Sequence, residues 1–147
     1  MIAIKFCGLT TLQDCLDALQ AGADWLGFNF YPPSPRAISP AACRRLVDEL
    51  RRAAGISTGR MRLVGVFVDA PPGEILQTLD ECGLDLAQLS GGDEHETARV
   101  LQERAIAVVR PRGDAPLLAR LAALPARADP PAALVDAAVP GSFGGAG

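Results

Sequence analysis

The sequence predicts an α/β protein with a parallel sheet, made of strand–helix units that follow one another along the chain. Two observations support this class. Short apolar segments of strand length alternate with longer segments whose apolar residues recur every three or four positions. No linker or change of composition divides the 147 residues. We therefore predict a single domain, residues 1–147, that contains units 1 to 6.

Six short apolar segments are the predicted strands. They cover about residues 2–6, 25–30, 63–68, 86–89, 105–109 and 132–135. In the first of them, the two-residue period of a strand places Lys5 and Cys7 on one face and Phe6 on the other. Because helical segments separate the strands, successive strands form βαβ units, and the sheet is predicted to be parallel.

Apolar residues at three- and four-residue intervals define the helices between the strands. The first helix runs from Thr11 and stops at Gly22, while Ser39 caps the second helix and Pro40 lies in its first turn. The third helix carries Ile75, Leu76 and Leu79 and stops before Gly83, the fourth begins near Asp93, and the fifth covers about Ala115–Leu124.

The composition fits a soluble enzyme domain. Hydrophobic residues make up 49% of the chain and charged residues 21%, which suffices for one sizeable core. The net charge of −3, without a basic stripe, argues against nucleic acid as a partner. The chain has no apolar run of the ~18 residues that a membrane span needs, and its amino terminus lacks the features of a signal peptide. We expect a cytoplasmic protein that binds neither membrane nor nucleic acid.

The cysteines give no sign of a metal site. Cys7, Cys15, Cys43 and Cys82 form no CxxC pair, and His95 is the single histidine, so no familiar zinc ligand set can be assembled. The last three cysteines fall on apolar helix faces, where core packing is expected. Unpaired cysteines at irregular intervals also indicate a reducing compartment.

Cys7 has a different setting, because it ends the first strand directly before Gly8. Glycine permits a sharp turn at that point. Loops that follow the strands of a parallel sheet form the face on which chemistry takes place. Cys7 is therefore a candidate catalytic group, and a buried structural cysteine is the alternative interpretation.

Several motifs in a fixed order point to one family. Residues 5–10 read KFCGLT, residues 21–30 read AGADWLGFNF and residues 31–40 read YPPSPRAISP, while residues 134–136 read LVD and residues 140–147 read PGSFGGAG. These segments resemble phosphoribosylanthranilate isomerases, the (βα)8-barrel enzymes of tryptophan biosynthesis. The resemblance extends along the whole chain and is most specific over the first forty residues.

The resemblance implies an α/β fold of the (βα)8 TIM-barrel type, of which this chain carries only about six units. Such a barrel needs eight strands and typically at least about 200 residues. The family's phosphate-binding loops follow strands 7 and 8. We therefore expect a truncated product or fragment, an incomplete barrel whose open edges promote self-association. A smaller, open doubly wound sheet is the alternative. Full-length members are monomers or homodimers.

The resemblance also implies a reaction, the Amadori rearrangement of N-(5-phosphoribosyl)anthranilate, a small phosphosugar substrate. Cys7 matches the family's general base, and Asp136 matches its general acid. Proton transfer suffices for this chemistry, so the implied enzyme needs no cofactor and no metal. Taken alone, Asp136 could instead form the turn that begins the glycine-rich loop.

The binding residues follow from the same motifs. Arg36 matches the arginine that the family uses against the anthranilate carboxylate, which a planar guanidinium suits well. Gly144 and Gly145 resemble a loop that closes over substrate, although glycine-rich tails are often disordered. Lys5 has two open interpretations: it supplies positive potential beside Cys7, or it is an interior ion-pair partner.

The fourth strand departs from the family pattern. Where the family reads QLHGDE, this chain reads QLSGGDE from Gln88, so Ser90 replaces a histidine and an extra glycine lengthens the loop. We expect altered substrate positioning rather than lost acid–base chemistry. Two further arginines near strand ends are candidates for holding an anionic substrate, namely Arg110 and Arg112.

Two other functions stay open at this point. One is a noncatalytic fragment or pseudoenzyme of the same family, which an absence of the two phosphate loops would favour. The other is a different phosphosugar-handling α/β enzyme such as an epimerase. Enzymes of that kind usually rely on a metal or a carboxylate base, and the single histidine argues against a histidine-rich metal site.

Overall fold

A computed structural model describes residues 3–55, 61–91, 94–110, 117–129 and 131–136 of the chain. These residues form one sheet of six parallel strands: β1 (Lys5–Cys7), β2 (Trp25–Asn29), β3 (Arg62–Val68), β4 (Leu86–Ser90), β5 (Ala105–Val109) and β6 (Ala133–Val135). The helices are α1 (Leu12–Gln20), α2 (Pro40–Ala54), α3 (Pro72–Cys82), α4 (Glu94–Leu101) and α5 (Leu117–Ala122), with a short 3-10 turn at Gln102–Arg104. The predicted alternation of strands and helices is confirmed.

The order of the strands settles the fold class. Neighbours in the sheet are neighbours in sequence, from β1 to β6 without a reversal. A doubly wound sheet has a point at which the strand order reverses, so this alternative is wrong. The sheet curls into part of a barrel, with its helices on the outer, convex side. The prediction of a (βα)8-type fold with six units is therefore confirmed.

Local capping residues fix where the helices begin and end. Thr11 and Ser39 are the N-caps of α1 and α2, and their hydroxyl oxygens accept hydrogen bonds from backbone N–H groups three residues on. Gly83 ends α3 in the left-handed region, at φ +65°. β1 begins later than predicted, because the N–H of Ile4 donates to the Asp24 carboxylate at 2.8 Å instead of to a strand.

The main core lies between the convex face of the sheet and the helices. Buried strand residues such as Leu26, Phe28 and Phe67 pack there against the apolar faces of α1 to α4. Three thiols belong to this core, as predicted: Cys15, Cys43 and Cys82. Burial is the largest cause of a raised pKa at each of these thiols, and it brings the pKa of Cys15 to about 11.

A second, smaller cluster fills the concave face. Val64, Leu86 and Ile106 are buried there, on β3, β4 and β5. Trp25 on β2 and Leu134 on β6 pack against this cluster. Strands far apart in the sheet thus share one interior cluster. This cluster lies nearer the amino ends of the strands than the polar residues that follow them.

The outer strands differ from the four in the middle. Ile4 and Phe6, in or beside β1, are 47% and 38% exposed, and Val135 on β6 is 58% exposed. In the described part of the chain, β1 pairs only with β2 and β6 only with β5. Both lateral edges of the sheet therefore present backbone groups and apolar side chains together. None of the described helices is both long and apolar enough to cross a membrane.

Candidate active site

Polar side chains gather where the strands end. In a parallel sheet all carboxyl ends lie at the same edge, and this edge holds Cys7 at the end of β1 and Ser90 at the end of β4. Arg110 and Asp136 directly follow β5 and β6. These four residues therefore lie at one end of the fold.

The turn after β1 exposes the thiol of Cys7. The N–H groups of Gly8 and Leu9 both donate to the carbonyl oxygen of Gly27, at 2.9 and 3.0 Å, which pulls the chain sharply toward β2. Gly8 adopts a φ of +78°, a conformation that glycine takes without strain. The interpretation of Cys7 as a buried structural residue is therefore wrong.

Arg36 lies beside this turn. Its Nη1 donates to the carbonyl oxygen of Cys7 at 3.2 Å. A methyl group at Gly8 would stand only 2.9 Å from the Arg36 Nε, so the guanidinium occupies the space that a side chain at position 8 would fill. The structure thus brings Arg36 and Cys7 together, although they are 29 residues apart in sequence.

The side chains of Lys5 and Cys7 both lie close to Gly27 of β2. A Cβ atom at Gly27 would lie 3.1 Å from Lys5 Cε and 3.2 Å from Cys7 Sγ. The Lys5 ammonium continues across the concave face and donates to the Gln88 side-chain oxygen on β4. Lys5 has an uncharged partner in this hydrogen bond, and its methylene stem runs close to the thiol.

Asp136 forms an ion pair with Arg110. The Arg110 Nε and Nη2 lie 3.3 and 3.2 Å from Asp136 Oδ2, and the arginine side chain is only 6% exposed. The expectation that Arg110 stands ready for an anionic substrate therefore needs correction, because its guanidinium faces a carboxylate of the protein. The sequence could not reveal this pair, since it depends on the register of β5 against β6.

Four further predicted residues have different outcomes. Ser90 is buried, and its carbonyl oxygen accepts a hydrogen bond from the backbone N–H of Asp69 at 3.1 Å. Gly144, Gly145 and Arg112 lie outside the described residues. Within the described ranges, no three Cys, His, Asp or Glu side chains are grouped so that they could hold a metal ion.

Sequence reasoning missed two contributors to this end of the fold. Gln88 is a polar residue within an otherwise apolar strand, and this pattern could have marked it as a concave-face residue. Glu94 has a side chain that is 2% exposed and pairs with Arg120 of α5. A local sequence pattern cannot predict the pair of Glu94 and Arg120, because the two residues are 26 positions apart.

The fold and these groups define a class, an α/β protein of the barrel type with a thiol, a carboxyl group and cations at the carboxyl ends of its strands. Residues 4–142 match the family model described as N-(5'phosphoribosyl)anthranilate (PRA) isomerase. The chain belongs to this family.

Individual relatives agree with the family match. The chain is 42% identical over 147 residues to an N-(5'-phosphoribosyl)anthranilate isomerase of Geobacter sp. strain M21 and spans 66% of the length of that relative. Among solved structures, phosphoribosyl anthranilate isomerase from Thermotoga maritima is similar with a TM-score of 0.78 and 33% identity, covering 99% of this chain and 66% of that one.

Another solved structure carries a bound compound. It is a phosphoribosyl anthranilate isomerase in complex with reduced 1-(o-carboxyphenylamino)-1-deoxyribulose 5-phosphate. Its similarity to this chain has a TM-score of 0.75 and 33% identity, and it covers 93% of this chain and 66% of that one. The chain thus spans just under two-thirds of the length of each of these three relatives.

Proposed function

We propose that this chain carries the acid and base groups of an isomerase of tryptophan biosynthesis in the cytoplasm. Its substrate is N-(5-phosphoribosyl)anthranilate, and its product is 1-(2-carboxyphenylamino)-1-deoxyribulose 5-phosphate. The single observation that carries the proposal is the family match over residues 4–142. The exposed thiol of Cys7 and the carboxyl group of Asp136, both at strand ends, supply the two kinds of group that the reaction needs.

The reaction is a sequence of proton transfers. Asp136 gives a proton to the furanose ring oxygen, the bond from that oxygen to C1 breaks, and the nitrogen lone pair forms a Schiff base. Cys7, as thiolate, then removes the proton from C2, and the electron pair of that C–H bond forms an enolamine. The Cys7 thiol then returns its proton to C1, and the Asp136 carboxylate accepts the hydroxyl proton at C2, which gives the ketone and restores both groups. These transfers need neither a cofactor nor a metal.

The remaining residues bind the substrate. Arg36 offers a planar guanidinium to the anthranilate carboxylate at a point next to the base, as its contact with the Cys7 carbonyl supports. Lys5 places positive charge on the concave face near the thiol. Gly144 and Gly145 contribute to substrate binding in this proposal. Residues 1–147 act in this proposal as one partial-barrel domain.

An assay of product formation tests the proposal. The purified 147-residue chain is incubated with N-(5-phosphoribosyl)anthranilate, alone and together with the separately expressed part of the Geobacter relative that this chain does not match. We expect conversion in at least one preparation, and a Cys7→Ser chain treated in the same way should be at least about a hundredfold slower. Absence of conversion in both preparations contradicts the proposal and favours a noncatalytic member of the family.

A further inference from the structure

The arginine that follows β5 and the carboxylate that follows β6 are adjacent in the sheet. The backbone N–H of Asp136 donates to the carbonyl oxygen of Val109 at 3.2 Å, which extends the pairing of the two strands by one step. This step sets Arg110 beside Asp136, where the Arg110 Nε and Nη2 both donate to the same oxygen, Oδ2. Two hydrogen bonds from a planar group restrict rotation of the carboxyl group about its own bond.

Arg110 is itself held from the helical layer. Its carbonyl oxygen accepts a hydrogen bond from Arg120 Nη1, and Arg120 Nη2 binds the buried carboxylate of Glu94. The contacts run from α4 through α5 to the ends of β5 and β6, in the order Glu94, Arg120, Arg110, Asp136. Because Arg110 and Glu94 are both buried, these side chains have little freedom to adopt other rotamers.

We propose that Arg110 is a positioning residue for the catalytic carboxyl group of Asp136. The inference rests on the proposed function, in which Asp136 gives a proton to the ring oxygen of the substrate. A carboxyl group fixed in rotation meets that oxygen in a productive orientation more often than a free one does.

A double-mutant cycle separates this role from a structural one. In the preparation that converts substrate, we expect Arg110→Met to lower kcat about tenfold or more while KM changes less than about threefold. Arg110→Lys, which keeps a charge, should recover part of the loss. In a chain that already carries Asp136→Asn, adding Arg110→Met should lower kcat by no more than about twofold, because the group that Arg110 positions is gone. Arg45→Met, an exposed arginine of α2, is the matched control and should leave kcat unchanged.

Each outcome of the cycle has a distinct meaning. Losses that multiply in the double variant, or a normal kcat in Arg110→Met, overturn the positioning role. If Asp136→Asn turns over normally, or if no preparation converts substrate, the proposed function fails and the inference fails with it. An inactive Asp136→Asn beside a normal Arg110→Met therefore removes the inference and leaves the proposed function intact.

A second measurement needs neither activity nor a folded Arg110 variant. The Nε–H proton of Arg110, observed by NMR in the 147-residue chain, should exchange with water at least about tenfold more slowly than that of the exposed Arg45, because it is buried and hydrogen bonded. In Asp136→Asn this difference should shrink. Equal exchange rates at Arg110 and Arg45 in the unmodified chain would overturn the ion pair on which the inference depends.

Discussion

Two glycines, Gly8 and Gly27, make room for the side chains around Cys7, each in a different way. Gly8 turns the chain and leaves room for the guanidinium of Arg36, while Gly27 leaves room on the concave face for the thiol and for the stem of Lys5. A side chain at either position would displace one of the groups that the proposed reaction uses. The arrangement around the thiol therefore requires that positions 8 and 27 carry no side chain.

Replacing this thiol tests its role as a base. We expect Cys7→Ser to lower kcat about a hundredfold or more, because an alcohol is a far poorer base than a thiol. Affinity for a product analogue, measured by calorimetry, should stay within about threefold, since the substitution removes no binding group. Near-normal turnover in Cys7→Ser would remove the assignment of the base.

Arg36 should respond differently. We expect Arg36→Met to raise KM by about tenfold or more, because the substitution removes a carboxylate-binding group and keeps the length of the side chain. Steady-state kinetics over a range of substrate concentrations measures the effect, and Arg44→Met on the exposed side of α2 is the matched control. A loss confined to kcat would contradict the role of carboxylate anchor.

At the residue scale, the sequence predicts contacts between residues that are close along the chain better than contacts between distant ones. The common face of Lys5 and Cys7 follows from the two-residue period of a strand, and the structure agrees with it. Their actual partners, Gln88 and Arg36, come from other strands and loops, where neither propensity nor spacing fixes which atoms meet. The family motifs named the candidate residues, but only the folded chain shows what each one touches.

At the scale of single elements, the end of α3 also forms a contact with α2. Gly83 ends α3 in the left-handed region, and its carbonyl oxygen accepts a hydrogen bond from Arg51 Nη2 of α2 at 2.8 Å. A methyl group at position 83 would stand 2.8 Å from the Arg51 Nη1. The end of α3 and the contact between the two helices therefore depend on the same glycine.

Two glycine substitutions in this region should have opposite effects. We expect Gly83→Ala to lower the free energy of unfolding by about 1–2 kcal/mol, because alanine is strained at a positive φ. Gly73→Ala should raise it by about 0.5 kcal/mol, since that glycine lies within α3 with open space around its Cα. Urea unfolding followed by circular dichroism measures both, and equal effects of the two substitutions would contradict this account.

The sequence predicts elements better than it predicts their limits. Ser39 and Gly83 mark helix ends through short-range hydrogen bonds and backbone conformation, which a local reading can find. The start of β1 could not be found in this way, because it depends on the distant carboxylate of Asp24. Helix ends that depend on nearby residues can be predicted from the sequence, whereas strand limits that depend on contacts with other elements cannot.

At the scale of the whole molecule, the open sides of the sheet dominate the expected behaviour in solution. Unpaired strand edges and exposed apolar side chains occur together at β1 and β6 in the described part of the chain. Edges of this kind are templates for pairing with other chains. The sequence predicted parallel strands in chain order, whereas which side chains the outer strands expose became visible only in the structure.

We expect the 147-residue chain alone to self-associate and to be essentially inactive. Sedimentation velocity should show larger species as concentration rises, and Phe6→Lys should reduce them, because a charge at an edge strand opposes pairing. Leu118→Lys, at an exposed apolar residue on α5, is the matched control and should have no effect.

Addition of the part of the Geobacter relative that this chain does not match should reduce the self-association and restore some turnover, since phosphate sites of (βα)8 barrels frequently lie in the loops after strands 7 and 8. Sedimentation velocity and the isomerase assay, repeated with and without the added segment, measure both effects. A chain that stays monomeric at every concentration and turns over normally by itself would contradict this prediction.

The cluster on the concave face has one more consequence, and it is spectroscopic. Trp25 is the only tryptophan of the chain, and it packs against the concave-face cluster against which Leu134 of β6 also packs. We therefore expect its indole emission to change when the sixth strand docks on this cluster or leaves it. Tryptophan fluorescence would follow that event in real time, and no label would have to be attached.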